Sequence, residues 1–355
     1  MPAGTTLGFP FPVRTWEKHL EHELVRELRE VYGHEASVFT GRHHARYFRK
    51  DTTYHVISRT LQGFCLMRPD PWFNAMAAGV IGRAQQLFGS IQLYAFAFLS
   101  NHLHLQLRGE PADIARFVGF IKGEISRRLG QRIGWRGQMW DGRYVATALP
   151  TADSEIRCFE YILSQGAKES LVARSTQWPG LHVAKQLSTG KPLYGEWLDG
   201  TSYGRAKYQA ERSRRRKRVN LRDHVRTYEV AIARLPAWEG HSEEQVQAEV
   251  QATLVRIAEQ GRQARGGKKP LGVKAILRTP RTHARPTPPP PWFEERRKLI
   301  CWADRRDPVV REYLNGYWAF QLAFRAASES FRSGDLTVGF PPDSYSPSMY
   351  RPPPG

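Results

Sequence analysis

The stretch His102–Arg108, HLHLQLR, alternates apolar and polar residues without a break. Only an extended strand separates such a pattern, because successive side chains point to opposite faces. Leu103, Leu105 and Leu107 then share one face, and His102 and His104 share the other. The strand therefore belongs to a sheet with its core on the leucine side, and it needs neighbours.

The flanking sequence supplies them. TYHVISRT, starting at Thr53, alternates and is rich in β-branched residues, which predicts a strand. PWFNAMAAGVIGRAQQLFG opens on Pro71 and closes on Gly89, the punctuation of a helix. IQLYAFAFLS is a second strand, separated from the histidine strand only by Ser100 and Asn101, which predicts a hairpin. PADIARFVGFIKGEISRRLGQ places Ile114, Phe117, Val118, Ile121, Ile125 and Leu129 at helical spacing. GRYVATAL is a fourth strand. DSEIRCFEYILSQ is a further helix with Asp153 as its expected N-cap. The order β-α-β-β-α-β, then a helix, predicts an α+β fold with a ferredoxin-like antiparallel sheet.

This patterned domain is expected over 51–174, after a lead-in over 1–50. The composition then shifts. A basic linker is expected over 175–220, where Gly204–Arg218 holds eight basic residues and one acidic. A helical segment is expected over 221–265. Its second helix opens with a capping box, Ser242 to Gln245. A basic, Pro-rich linker follows over 266–291, then a C-terminal segment over 292–355. The whole extension beyond 174 reads as mainly helical, partly disordered and basic.

Lys and Arg number 53 against 34 acidic residues, a net charge of +19. That excess points to a polyanionic partner, nucleic acid first, since neutralised phosphates release counterions. The 10 Trp, 14 Tyr and 17 Phe support that choice over a membrane surface, because unpaired bases stack on aromatic rings. Three scattered cysteines provide neither a zinc spacing nor a disulfide framework. The start lacks a charged segment followed by an apolar run, so a cytoplasmic protein is expected.

Two imidazoles on one strand face are either an exposed polar pair or part of a divalent metal site. On the helix after the fourth strand, Tyr161 and Gln165 lie four apart on one side, and Lys168 joins them if the helix continues. Ile156, Phe159 and Leu163 lie opposite and are expected to pack on the sheet. Arg127, Arg128, Arg132 and Arg143 are candidates for DNA backbone contacts. Trp135 and Tyr144 are candidates for base stacking. The run containing Arg214, Arg215 and Arg216 is a candidate for following a phosphate backbone without sequence preference.

Taken together, YHVISRTLQG, LYAFAFLSNHLHLQL, GQMWDGRYVATAL and YILSQGAKESLV resemble, in order, the segments of the HUH-superfamily single-tyrosine transposases. The REP-associated branch is nearest. The resemblance spans about Asp51 to Val172. It implies the HUH form of the ferredoxin-like fold and a metal-dependent transposase and endonuclease acting on single-stranded DNA with hairpin structure. It further implies Mg²⁺ or Mn²⁺ held by His102, His104 and Gln165, with Tyr161 as nucleophile, a 5′-phosphotyrosine intermediate, and Lys168 neutralising charge. A homodimer is one arrangement found among such proteins. Where the REP-associated branch carries Asn-Pro after the tyrosine, this chain has Gln165-Gly166-Ala167-Lys168. The alternative is a transposase-derived protein that binds DNA without cutting it.

Overall fold

The computed structural model describes residues 44–213, 218–282, 300–304 and 306–344. They fall into two units, one of Phe48–Gly316 and one of the residues up to Tyr47 together with those from Tyr317 onward. In the second unit the Gln321 amide pairs both ways with the Ala45 backbone, at 2.9 Å each, and Tyr317 meets His44 at 3.0 Å.

The first unit is built on strands β1 (Thr53–Arg59), β2 (Gln92–Phe98), β3 (His102–Arg108) and β4 (Val145–Leu149). Their order is β2-β3-β1-β4 with every pairing antiparallel, which is the ferredoxin-like sheet. Helices α1 (Pro71–Leu87) and α2 (Pro111–Ile133) make the two crossovers and pack on each other. Both join parallel strands, and the right-handed rule sends both to one face. That is the face of Leu103, Leu105 and Leu107, all fully buried, with Tyr54 and Val56 beside them. The hairpin between β2 and β3 closes at Ser100–Asn101, with the Leu99 N–H donating to the His102 carbonyl at 2.8 Å.

Helix α3 (Ala152–Leu163) lies on the opposite, histidine face. Its N-cap is Thr151, not Asp153. The Thr151 hydroxyl accepts from the Ser154 N–H at 3.2 Å, and Ser154 answers to the Thr151 N–H at 3.1 Å. Asp153 instead sits in the first turn, where its charge suits the helix dipole, and pairs with Arg157. The expected rotation of α3 is also corrected. Tyr161, expected on the side away from the sheet, lies against His104 of β3, while Phe159 is buried edge-on to Trp238, ring centres 5.0 Å apart. Tyr161 stands beside the buried stripe of Glu155, Cys158, Phe159 and Ile162, so the amphipathic pattern alone did not place it against the sheet.

Trp238 comes from the extension, which is more structured than the sequence suggested. The 175–220 stretch builds α4 (Val183–Thr189), β5 (Leu193–Leu198) and α5 (Gly200–Arg212). The segment starting at Leu221, expected to be a helix, forms β6 (Val225–Val230), paired antiparallel with β5. Its alternating Val, Thr, Tyr and Val favour a strand once β5 offers an edge. Helix α6 (Glu243–Ala264) starts at the expected Ser242–Gln245 capping box. Helix α7 (Val273–Arg278) lies in the expected Pro-rich linker, and α8 (Pro308–Arg332) in the C-terminal segment. Trp302 donates its N–H to the Ala148 carbonyl at 2.9 Å, and Ala148 donates to the Ile300 carbonyl at 2.8 Å. A short extended piece is thereby added to the β4 edge. Among the described residues no helix is long and apolar enough to cross a membrane.

The β5–β6 hairpin docks on α1 by backbone contact. A Cβ on Gly79 would overlap the Glu196 backbone, one on Gly82 the Glu229 carbonyl, and one on Gly195 the Gly79 nitrogen. Glycine at these positions is a matter of space, not of φ.

Candidate active site

The site begins with the register of β1 on β3. His55 pairs with Gln106, Ile57 with His104 and Arg59 with His102, so these side chains share a face. His104 is buried and His102 half-buried. Their ring centres lie 4.9 Å apart. The His102 Nδ1 lies 2.7 Å from the Asn101 Oδ1, while the Asn101 amide nitrogen donates to the Gly63 carbonyl at 3.2 Å. With the amide so oriented, His102 donates from Nδ1 and its lone pair is on Nε2. Asn101 therefore orients His102 as well as shaping the turn.

Above the strands, the Tyr161 ring sits edge-on to His104 at 5.6 Å and to His55 at 5.7 Å between centres. Trp302 closes against the same tyrosine at 5.5 Å. The helix ends at Leu163, so the condition under which Lys168 would join Tyr161 and Gln165 along one helix face is not met. Instead Gly166 takes φ +81°, a left-handed conformation open to glycine, and the chain turns back. The Gly166 N–H donates to the Glu169 carboxylate at 2.6 Å. This turn lays the Lys168 ammonium over the Tyr161 ring, 3.5 Å from its centre, with Glu169 also 3.5 Å away. Gln165 is fully buried. Its amide nitrogen donates to the Tyr161 carbonyl at 3.0 Å, and its Oε1 has no hydrogen-bond partner.

The histidine electrostatics follow from burial. Desolvation pushes His55 down to about 3, helped by the charge of Lys168. His104 is held well below its ordinary value by burial first, then by His102 and His55. His182, buried under the end of β2, is held at about 4 by desolvation. All three stay neutral in the fold where an unfolded chain protonates below pH 6.5. The unfolded state then binds more protons, so stability is full above that pH and falls as pH drops toward the folded values. Each such histidine removes about 1.4 kcal/mol per pH unit in that window. Glu155, whose carboxyl burial pushes up, acts in the opposite sense: protonation favours the fold until pH rises through its raised value. The three histidines outweigh it, so the denaturation midpoint is expected to fall steadily from pH 7 to pH 5 in urea titrations. A flat midpoint over that range would contradict neutral burial.

The chemistry of the donor set fits a divalent ion. His104 Nε2 and Gln165 Oε1 are both buried without a hydrogen-bond partner, and both are acceptors in the appropriate state. His102 presents Nε2 by the Asn101 contact. Among the described residues no three His, Cys, Asp or Glu side chains come together in a metal-binding arrangement. The third donor here is an amide, the type hard cations accept.

The expected DNA contacts divide. Arg132 is exposed, its guanidinium 5.4 Å from the Trp72 ring centre, and Arg143 is exposed. Arg127 is half-exposed and pairs with Glu124 at 2.6 Å. Trp135 is half-buried, edge-on to Phe64 at 5.8 Å. Two expectations are corrected. Arg128 is buried, stacked 3.9 Å from the Trp197 ring centre, paired with Glu124 and donating to the Leu198 carbonyl at 3.0 Å. It locks β5 to α2 and does not face phosphate. Tyr144 is buried too, and Lys122 stands 5.9 Å from its ring centre. For Arg128 the hydrophobic pattern could not show this, because the strand that covers it comes from far along the chain. Arg214, Arg215 and Arg216 lie outside the described residues.

Two residues of the site escaped the sequence reading. His55 had a signal, since the alternation of TYHVISRT places it opposite Tyr54 and Val56. Trp302 had none, lying far from the domain in sequence.

No curated protein matches the chain in sequence. Among solved structures, a REP-associated tyrosine transposase bound to a REP hairpin is similar at 17% identity. The likeness covers 42% of this chain and 87% of that one, with a TM-score of 0.36. A candidate transposase from Deinococcus radiodurans R1 is similar at 20% identity over 35% of this chain and 98% of that one, with a TM-score of 0.25. The model of the family described as "Transposase IS200 like" matches residues 71–165, a segment that holds His102, His104, Tyr161 and Gln165. Over residues 71–165, about a quarter of its length, this chain is therefore similar to the IS200-like transposases.

Proposed function

We propose that this protein cuts and rejoins single-stranded DNA carrying a hairpin, through a 5′-phosphotyrosine link on Tyr161. The observation that carries the reading is the convergence on one ring: Tyr161 lies against His104 on one side and under the Lys168 ammonium on another. In the cutting step the Tyr161 oxygen attacks the scissile phosphorus. A Tyr O–P bond forms, the P–O3′ bond breaks, and the phenolic proton is balanced by the one the 3′-hydroxyl gains. Rejoining is the reverse attack by a 3′-hydroxyl, so no external energy source is needed. Phenol is a weak nucleophile while protonated, so its proton must leave as the Tyr O–P bond forms.

His102, His104 and Gln165 are the residues that would hold Mg²⁺ or Mn²⁺. Bound there, the ion would polarise and orient the phosphate as a Lewis acid. Asn101 orients His102, and the Gln165 amide, tied to the Tyr161 carbonyl, keeps its oxygen turned away from that bond. Arg132, Arg143 and Trp135 remain the exposed or half-exposed candidates for holding DNA.

The test is a cleavage assay on labelled hairpin DNA from the flanks of this protein's own gene, with Mn²⁺ or with EDTA. Cutting with a covalent protein–DNA adduct in Mn²⁺ only is the expected result. Tight binding without an adduct under either condition would favour a DNA-binding protein that no longer cuts. Whether the active form is a homodimer is read from light scattering with and without the hairpin.

A further inference from the structure

We infer that His55 is a positioning residue: it accepts the Nδ1 proton of His104 and so turns the lone pair of His104 Nε2 toward the metal position. The inference rests on the metal-binding reading given above.

His55 is buried in β1, and its Nε2 lies 3.0 Å from the His104 Nδ1. The two rings stack with centres 5.2 Å apart, which leaves little freedom to turn. A neutral imidazole carries one N–H, so only one of the two facing nitrogens donates. If His55 donated, His104 would have to carry its proton on Nε2. That nitrogen is buried and has no hydrogen-bond partner, so the proton would point at nothing. If His104 donates from Nδ1, its Nε2 is a bare acceptor, and a cation completes it. A histidine that binds metal through one nitrogen ordinarily donates from the other to a fixed acceptor. His102 has that acceptor in Asn101, at 2.7 Å. His55 is the equivalent for His104, supplied by another strand. Its ring is held from the far side by Trp302, 5.9 Å between centres, and by Tyr161.

The experiment uses the full-length, DNA-free protein and reads Mn²⁺ binding by the loss of the free-ion EPR signal. His55→Phe keeps a ring between Tyr161 and Trp302 but has no acceptor. His55→Gln places an amide oxygen near the same point. The expected result is Mn²⁺ affinity about 10- to 100-fold weaker for His55→Phe, restored to within a few-fold by His55→Gln, with melting temperatures that do not follow the affinity order. Equal affinity for wild type and His55→Phe would overturn the role of His55 while leaving the metal site standing. A wild type that does not bind Mn²⁺, or a His104→Ala variant that binds as wild type, would overturn it by removing the metal reading itself. A second measurement needs no variant. Histidine ¹⁵N NMR of the wild type without metal is expected to show His104 protonated at Nδ1 and bare at Nε2. The reverse tautomer would overturn the inference even if a variant fails to fold.

Discussion

Replacing Tyr161 by phenylalanine is expected to abolish strand cleavage and the covalent adduct together, by at least about 10⁴-fold, as removal of a sole nucleophile does. The substitution deletes only the phenolic oxygen. The ring keeps its edge contacts with His104, His55 and Trp302, and Lys168 still has an aromatic face beneath it. The fold and the affinity for hairpin DNA should therefore be nearly unchanged, which separates a chemical defect from a binding defect. The measurement is a denaturing gel of labelled DNA with wild type and Tyr161→Phe in Mn²⁺, beside a binding titration of both. Residual adduct in the variant would mean that another residue is the nucleophile. Loss of binding along with cleavage would mean the ring does structural work beyond its oxygen.

The second large effect is on stability. Gly79→Ala in α1 is expected to destabilise the protein by about 3 kcal/mol or more, the upper range for overpacking. Helix propensity alone predicts the opposite sign, since alanine gains about 1 kcal/mol over glycine in a helix interior. The steric term wins because the obstacle is the Glu196 backbone, which has no rotamer by which to move aside. Gly119→Ala in α2 is the control. That glycine is exposed, with nothing within 4 Å of a new Cβ, so the same change is expected to stabilise by a few tenths to about 1 kcal/mol. Urea titrations of the two variants test both signs. A stabilised Gly79→Ala protein would mean the hairpin does not sit on α1 as described.

The two outcomes address the two ways the chain is organised. Tyr161 belongs to the segment with the family match, whereas Gly79 is where that segment meets the extension. As far as Gly316 the extension is part of the same unit as the sheet: Trp238 covers α3, β5 and β6 cover α1, and Trp302 reaches the tyrosine. Truncation after the tyrosine helix would expose all three faces.

The element order, the sheet class, the hairpin at Ser100–Asn101 and the pairing of His102 with His104 all came from period and punctuation, which act over a few residues. Tyr161, Gln165 and Lys168 could be grouped for the same reason, although the turn at Gly166, not a longer helix, brings Lys168 back. Three kinds of information were not local. The place of Tyr161 against the sheet was undetermined because it stands beside the buried stripe of α3, half-buried. The fates of Arg128 and Tyr144 were undetermined because exposure depends on what packs above them. The partner of His104 was undetermined because it depends on register. A strand's own alternation says which residues share a face, but only its hydrogen-bonded neighbour sets which imidazole stands opposite. The sequence alone determined which side chains are present and which share a side of each element. Tertiary packing alone decided which of them are buried together, because burial comes from segments remote in the chain.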